Sequence, residues 1–269
     1  MSFVRILLRA PIFIALIIAY ILISLFWRVW TKNQVRRRHH YTHTVSFFCK
    51  AALKLLNFRV HVVGAPHREE SFLLVGNHLG FMDIFVLASQ HPTLFITSVD
   101  MRQTPGIGFL TEMGGCLYVE RRSRSNITNE IEEIRTALRQ GFSVALYPEG
   151  TSSNGERVLP FKKSLLTSAA GTGVPILPMV INYRKVNGEP ISHKWRDYVC
   201  WYGDQTFFPA MKRILSVKSV DVEIRFFDEI DVHSEEARRV IAVQLQELIT
   251  SNYSGIPMPQ ESLELKELH

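Results

Sequence analysis

The chain has 269 residues, 46% of them hydrophobic, enough to bury a full core in one large domain with a short additional segment. Three widely spaced cysteines, Cys49, Cys116 and Cys200, form neither a CxxC pair nor an even set, which argues against a disulfide framework or a cysteine zinc site and fits a reducing cytosolic setting. The net charge of +6 is lopsided: residues 1–68 carry eleven Lys and Arg and no acid, leaving 20 basic against 25 acidic residues beyond, so the basicity flanks one end and does not suit a nucleic-acid partner.

That end is also the apolar one. "APIFIALIIAYILISLFW", Ala10 to Trp27, is uncharged. As a helix it is about 27 Å long, just enough to cross a bilayer core or to dip into one leaflet. It runs into "RVWTKNQVRRRHH" and not into a small-residue cleavage site, so it reads as an anchor and not a removed signal. More Lys and Arg follow the run than precede it, which places the downstream chain on the cytoplasmic side of the cell's inner membrane. Residues 43–56, "HTVSFFCKAALKLL", form an amphipathic helix with Val45, Phe48, Ala52, Leu55 and Leu56 on one face and Ser46, Lys50 and Lys54 off it. It either lies at the membrane interface or covers the sheet of the soluble domain.

From residue 58 strands alternate with helices. "FRVHVVG", "SFLLVG", "TLFITSV", "CLYVE", "FSVALYP", "PILPMVINY" and "VDVEIRFF" read as strands. Helices are expected from about Met82 to Ser89, over "NITNEIEEIRTALRQG", over "KKSLLTSAAGTG", and over "SEEARRVIAVQLQELITSNY" behind a Ser234 cap. The expected fold is α/β, a mostly parallel central sheet flanked by helices. Its organisation is an anchoring segment (1–57), an α/β domain (58–254) and a loose tail (255–269).

"NHLGFMD", residues 77 to 83, ends the second strand and sets His78 and Asp83 five positions apart around Gly80. On one regular helix they would point about 140° apart and could not meet. With a turn from Asn77 to Phe81 and tight backbone angles at Gly80, Asp83 in the first helical turn can reach back to the imidazole. A carboxylate on one ring nitrogen leaves the other as a base, and the carboxyl end of a strand is where α/β sheets bind ligands. A structural histidine satisfies the same spacing, so context decides. "GCLYVERR" brings Arg121 and Arg122 to another strand end, as forked donors for a phosphate or as plain surface arginines. "YPEGTSSNG" is a Pro-Glu-Gly turn with hydroxyl residues, and "VPILPM" opens a strand with Pro175 and Pro178.

Together these four blocks, in this order over about residues 70 to 182, resemble the phospholipid/glycerol acyltransferase family, whose best-known members are bacterial 1-acylglycerol-3-phosphate acyltransferases. The resemblance implies that His78 is the general base for an acceptor hydroxyl and that Asp83 orients it. It implies that Arg121 binds the acceptor's phosphate or another anionic group, that Glu149, Gly150 and Thr151 shape the acceptor site, and that Asn77 supports it. It further implies a lysophospholipid acceptor, an acyl-CoA or acyl carrier protein thioester as donor, membrane lipids as surroundings, and no cofactor or metal. The residues agree: there is no HExxH, no Gly-rich phosphate loop and no GxSxG elbow, so direct attack by the acceptor is expected.

Two departures bear on the acceptor. Many lysophosphatidic-acid enzymes of the family carry an arginine after Glu-Gly-Thr, where this chain has Ser152, and several carry a lysine near Ser98. Phosphate binding then falls to Arg121, Arg122 and Lys162 or Lys163. 1-Acylglycerol 3-phosphate is the first expectation for the acceptor and a lyso-ornithine lipid the second. A membrane-bound hydrolase and a noncatalytic lipid-binding protein are the readings from other classes.

Overall fold

The computed structural model describes residues 2–64, 71–120, 126–232 and 238–258. Two long helices come first, α1 (Ser2–Trp30) and α2 (Gln34–Leu56). The sheet follows, with strands β1 (Phe58–Val63), β2 (Leu73–Gly76), β3 (Thr93–Ser98), β4 (Leu117–Val119), β5 (Ser143–Leu146), β6 (Ile176–Val186), β7 (Glu189–Pro190) and β8 (Val220–Phe226). The interleaved helices are α3 (Phe81–Gln90), α4 (Val99–Gln103), α5 (Ile107–Met113), α6 (Ile127–Arg139), α7 (His193–Val199), α8 (Phe207–Ser216) and α9 (Arg238–Asn252).

The strand order is β1-β8-β6-β2-β5-β3-β4, with β7 a short antiparallel partner of β6. Every neighbouring pair on that path is parallel except β6 with β8. The strands of β2 and β5 are buried on both faces, as βαβ crossovers require. Alternation along β2 divides the core: Leu74 faces α2, α3, α7 and α8, whereas Leu73 and Val75 face α6 and α9. The expected mostly parallel sheet between helical layers is thus the observed one.

Three expectations change. "KKSLLTSAAGTG" contributes only a 3-10 turn, Leu165–Ala169, because the glycines Gly171 and Gly173 both take positive φ and stop any longer helix. The amphipathic helix starts earlier, at Gln34, capped by the Asn33 side chain on the Arg36 N–H. Its buried set runs Tyr41, Cys49, Ala52, Leu53 and Leu56, and Ser46 is buried with them, while Phe47 is exposed. Alpha-2 packs on α3, β1 and β3, so it covers the sheet domain. The Ser234 cap lies outside the described residues.

Alpha-1 is long and apolar enough to cross a membrane, with most of that face exposed, including Phe3, Leu7, Leu8, Ile14, Leu22 and Phe26. It is nevertheless fastened along its length to the rest of the chain. Arg5 Nε donates to the Ser216 carbonyl at 2.7 Å, and Arg9 donates to the carbonyls of Leu215 and Val217, so two arginines cap the C-terminus of α8. Toward its other end Tyr20 donates to the Leu110 carbonyl at 2.9 Å and Arg28 pairs with Glu112 at 3.2 Å.

Candidate active site

Strands β2 and β5 are neighbours, and the turns leaving their carboxyl ends meet. Beta-2 ends at Gly76, and the chain crosses Asn77 to Gly80 before α3 begins at Phe81. Asp83 stands in the first turn of α3, where helical N–H groups lack intrahelical partners. Its Oδ2 accepts from the Leu79 N–H (2.6 Å) and the Gly80 N–H (2.9 Å), and lies 2.9 Å from His78 Nδ1. The side chain of Asp83 is 0% exposed and that of His78 17%. The turn that sequence reasoning required for these two side chains to meet is present, but Gly80 serves it differently. Its backbone is extended, and glycine is needed there because a Cβ would sit 2.9 Å from the Trp201 nitrogen. The Trp201 N–H in turn donates to the Leu79 carbonyl at 2.8 Å, tying the histidine turn to the segment after α7.

Beta-5 delivers the second turn, Tyr147 to Ser153. Glu149 is buried and spends both oxygens on main-chain donors, His78 N–H at 2.6 Å and Leu159 N–H at 2.8 Å. Burial pushes its carboxyl up to about 7, against the downward pull of those two donors. Gly150 takes φ +72°, the left-handed region, and a Cβ on it would meet Lys162 Nζ at 2.6 Å. The Ser153 N–H donates to the His78 carbonyl at 2.8 Å, and the Ser152 hydroxyl donates to the Trp201 carbonyl. The Tyr147 ring stacks on the imidazole at 4.3 Å and 13°.

His78 borders a cavity of about 420 Å³ walled by α1, α2, α3, the β3–α5 segment and the loop around Trp201. Phe13, Tyr20, Phe48, Phe85 and Leu110 typify its lining, and no Asp, Glu, Lys or Arg lines it among the described residues. With Asp83 ionised, Nδ1 carries the proton, and Nε2 makes no hydrogen bond with a described residue. An unprotonated nitrogen at the wall of an apolar cavity of ligand size can accept a proton from a bound hydroxyl.

The sequence-derived set divides accordingly. His78, Asp83, Glu149, Gly150 and Thr151 converge on the two turns, with Thr151 and Ser152 at the cavity. Asn77 is 2% exposed and both amide atoms are taken by the Ile181 main chain, Oδ1 at 2.8 Å and Nδ2 at 3.0 Å, so it pins β2 to β6 and does not line the cavity. Arg121 and Arg122 lie outside the described residues. Sequence reasoning missed Tyr147, Trp201 and Tyr183, whose hydroxyl donates to Asp83 Oδ1 at 2.9 Å. The alternation Leu177, Met179, Ile181, Tyr183 along β6 was the available signal for the last, since all four face the core beside α3.

Residues 57–182 match the family model described as Acyltransferase. A lyso-ornithine lipid O-acyltransferase of Brucella abortus is 33% identical over 226 residues, covering 80% of this chain and 85% of that one. A protein of the same name from Rhizobium meliloti is 30% identical over 77% of this chain and 74% of its own length. A 1-acyl-sn-glycerol-3-phosphate acyltransferase of Neisseria gonorrhoeae is 26% identical over 74% and 76%. The crystal structure of the 1-acyl-sn-glycerophosphate (LPA) acyltransferase PlsC from Thermotoga maritima superposes with a TM-score of 0.63 over 93% of this chain and 96% of that one, a likeness of fold at 23% identity. The family match and the similarity in sequence over most of their length to those relatives identify the chain as an enzyme of the acyltransferase family, of the PlsC and lyso-ornithine lipid O-acyltransferase type.

Proposed function

We propose that the enzyme transfers a fatty acyl group from a thioester, acyl-CoA or acyl carrier protein, to the free hydroxyl of a lysolipid, with His78 as general base. One observation carries this reading: His78 Nδ1 is held 2.9 Å from the buried Asp83 while the ring borders an apolar cavity. Nε2 takes the hydroxyl proton as the oxygen attacks the thioester carbonyl. The C–S bond of the tetrahedral intermediate then breaks, and the thiolate leaves with the proton held by His78, so no net charge accumulates. Asp83 orients the ring and stabilises its protonated form. Glu149 holds the main chain of His78 in place, and Thr151 and Ser152 stand on the acceptor side. The apolar cavity is the seat of an acyl chain.

The acceptor we favour is a lyso-ornithine lipid, which reverses the order expected from the sequence. The relatives that are 30% or more identical over more than two thirds of both chains carry that name, whereas a 32% identical 1-acyl-sn-glycerol-3-phosphate acyltransferase of Brassica napus matches over only 43% of this chain. The residue after Glu-Gly-Thr is Ser152, whose hydroxyl is committed to Trp201, and no described cation lines the cavity. 1-Acylglycerol 3-phosphate is the second reading, favoured by Lys162, whose ammonium lies over Gly150 at the Pro-Glu-Gly turn, and by Arg121 in the second block. Purified enzyme in mixed micelles given a labelled acyl thioester and both lysolipids in competition tests the choice by the mass of the product. Diacylated ornithine lipid as the main product is expected; phosphatidic acid as the main product would establish the second reading, and free fatty acid alone would establish a hydrolase.

For the membrane, we propose that α1 lies with its exposed apolar face in the inner leaflet, the catalytic cavity facing the cytoplasmic interface. The polar fastenings of α1 to α8 and α5 at its two ends support an in-plane seat over a free-standing span. Because Phe13 and Tyr20 also wall the cavity, lipid-borne chains reach the site without crossing water.

A further inference from the structure

The His78–Asp83 pair has a third member that neither the sequence motifs nor the family blocks include. Asp83 is fully buried, and its two oxygens are loaded unequally: Oδ2 faces His78 Nδ1 and two main-chain N–H groups, while Oδ1 has one partner among the described residues, the Tyr183 hydroxyl at 2.9 Å. Tyr183 is 3% exposed and comes from β6, the strand paired beside β2, next to a register shift between Tyr183 and Lys185 in the pairing with β8. Such a bulge re-aims side chains, and here the phenol ends against the carboxylate and not against an apolar neighbour.

We infer that Tyr183 is a positioning residue of the catalytic pair, fixing the carboxylate of Asp83 about its Cβ–Cγ bond and, through it, the orientation and basicity of the imidazole. The inference rests on the proposed role of His78 as base. A buried phenol is neutral and donates one hydrogen bond, so it withdraws negative charge from Oδ1 that would otherwise act on His78 through Oδ2. Removing that donor concentrates the carboxylate's charge on the imidazole, favours the imidazolium, and moves the protonation of the base to higher pH. A phenol that donates more strongly does the opposite.

Other titratable groups face this assembly: Tyr147 and Glu149 from the end of β5, Cys200 after α7, and Tyr253 after α9. Burial pushes the two tyrosines and the thiol upward, so they stay protonated at neutral pH. Glu149 titrates in the same range as a histidine base, so the readout is the difference between forms of the enzyme that all keep Glu149.

The test compares pH profiles of kcat for the full-length enzyme in mixed micelles, wild type against Tyr183→Phe and against enzyme carrying 3,5-difluorotyrosine at 183. Tyr183→Phe should lower kcat roughly tenfold with both KM values within about twofold, and move the acid limb up by roughly half a pH unit. The fluorinated phenol, a stronger donor of nearly the same shape, should move that limb down, and it retains the test if the phenylalanine variant does not fold. In an Asp83→Asn background, Tyr183→Phe should cost less than about twofold more, because the two act as a unit. Limbs that coincide in all three enzymes, or additive losses in the double variant, would overturn the inference. His78→Ala separates the two levels: near-normal activity there overturns the base and this inference together, whereas loss of activity with unmoved limbs overturns the role of Tyr183 alone.

Discussion

The turns after β2 and β5 each aim a buried carboxylate at the same histidine, and they do so differently. Asp83 meets the imidazole ring, while Glu149 meets the main-chain N–H of the same residue. Among the described residues Asp83 has four hydrogen-bond partners, one of them the ring itself; Glu149 has two, both main-chain N–H groups, and burial drives its carboxyl up to about 7. The first arrangement suits a group that must steady an imidazolium during turnover. The second suits a clamp that joins two strand ends, so that His78 is located by one acid and oriented by the other.

The comparison can be broken at its strongest point with Asp83→Asn. The amide leaves packing in place but removes the charge that faces Nδ1, and kcat should fall by about a hundredfold or more in a steady-state assay while the fold, followed by circular dichroism, persists. Glu149→Gln is expected to lower kcat by roughly tenfold, because the histidine turn loses one of its anchors while the ring keeps Asp83. It also carries a pH signature. A carboxyl raised in the folded state from its ordinary 4.5 to about 7 stabilises the protein fully below pH 4.5, and that contribution is lost as pH rises through 7. Wild-type stability from denaturant melts should therefore decline by on the order of 2–3 kcal/mol over that window relative to Glu149→Gln.

Smaller effects sharpen the contrast at the rim. Lys162→Gln should raise the KM for a phosphate acceptor by up to about fivefold, in a salt-dependent way, and leave the KM for the thioester donor unchanged. The smallest effect is expected of Tyr147→Phe. Its hydroxyl is buried without a partner among the described residues while its ring stacks on His78, so the variant should keep kcat within about twofold and gain up to about 1 kcal/mol in stability.

Much of this site was legible from one sequence because its parts are local. His78 and Asp83 are five residues apart, and the Pro-Glu-Gly turn is contiguous, so spacing and turn chemistry were enough to foresee both strand ends, whereas the order of the strands in the sheet was not foreseen. What stayed hidden depends on long-range register. Tyr183 reaches Asp83 across 100 positions of sequence through the pairing of β6 beside β2, and Trp201 braces Gly80 from beyond α7. Arg5 and Arg9 read as charges flanking an apolar run because their partners, the carbonyls at the end of α8, lie more than two hundred residues away. Ser46 looked like a polar-face residue by helical period, yet it is buried, while Lys50 and Lys54, assigned to the same face, are exposed. Helix periodicity reports which residues are apolar, whereas burial is set by what packs against them.

The most direct test of His78 as the base is the turnover of His78→Ala, confirmed folded, with a labelled acyl thioester and a lyso-ornithine lipid in mixed micelles. Loss of acyl transfer by about a hundredfold or more, with binding of the thioester retained, is the expected result. Turnover within a few fold of the wild-type enzyme would contradict it.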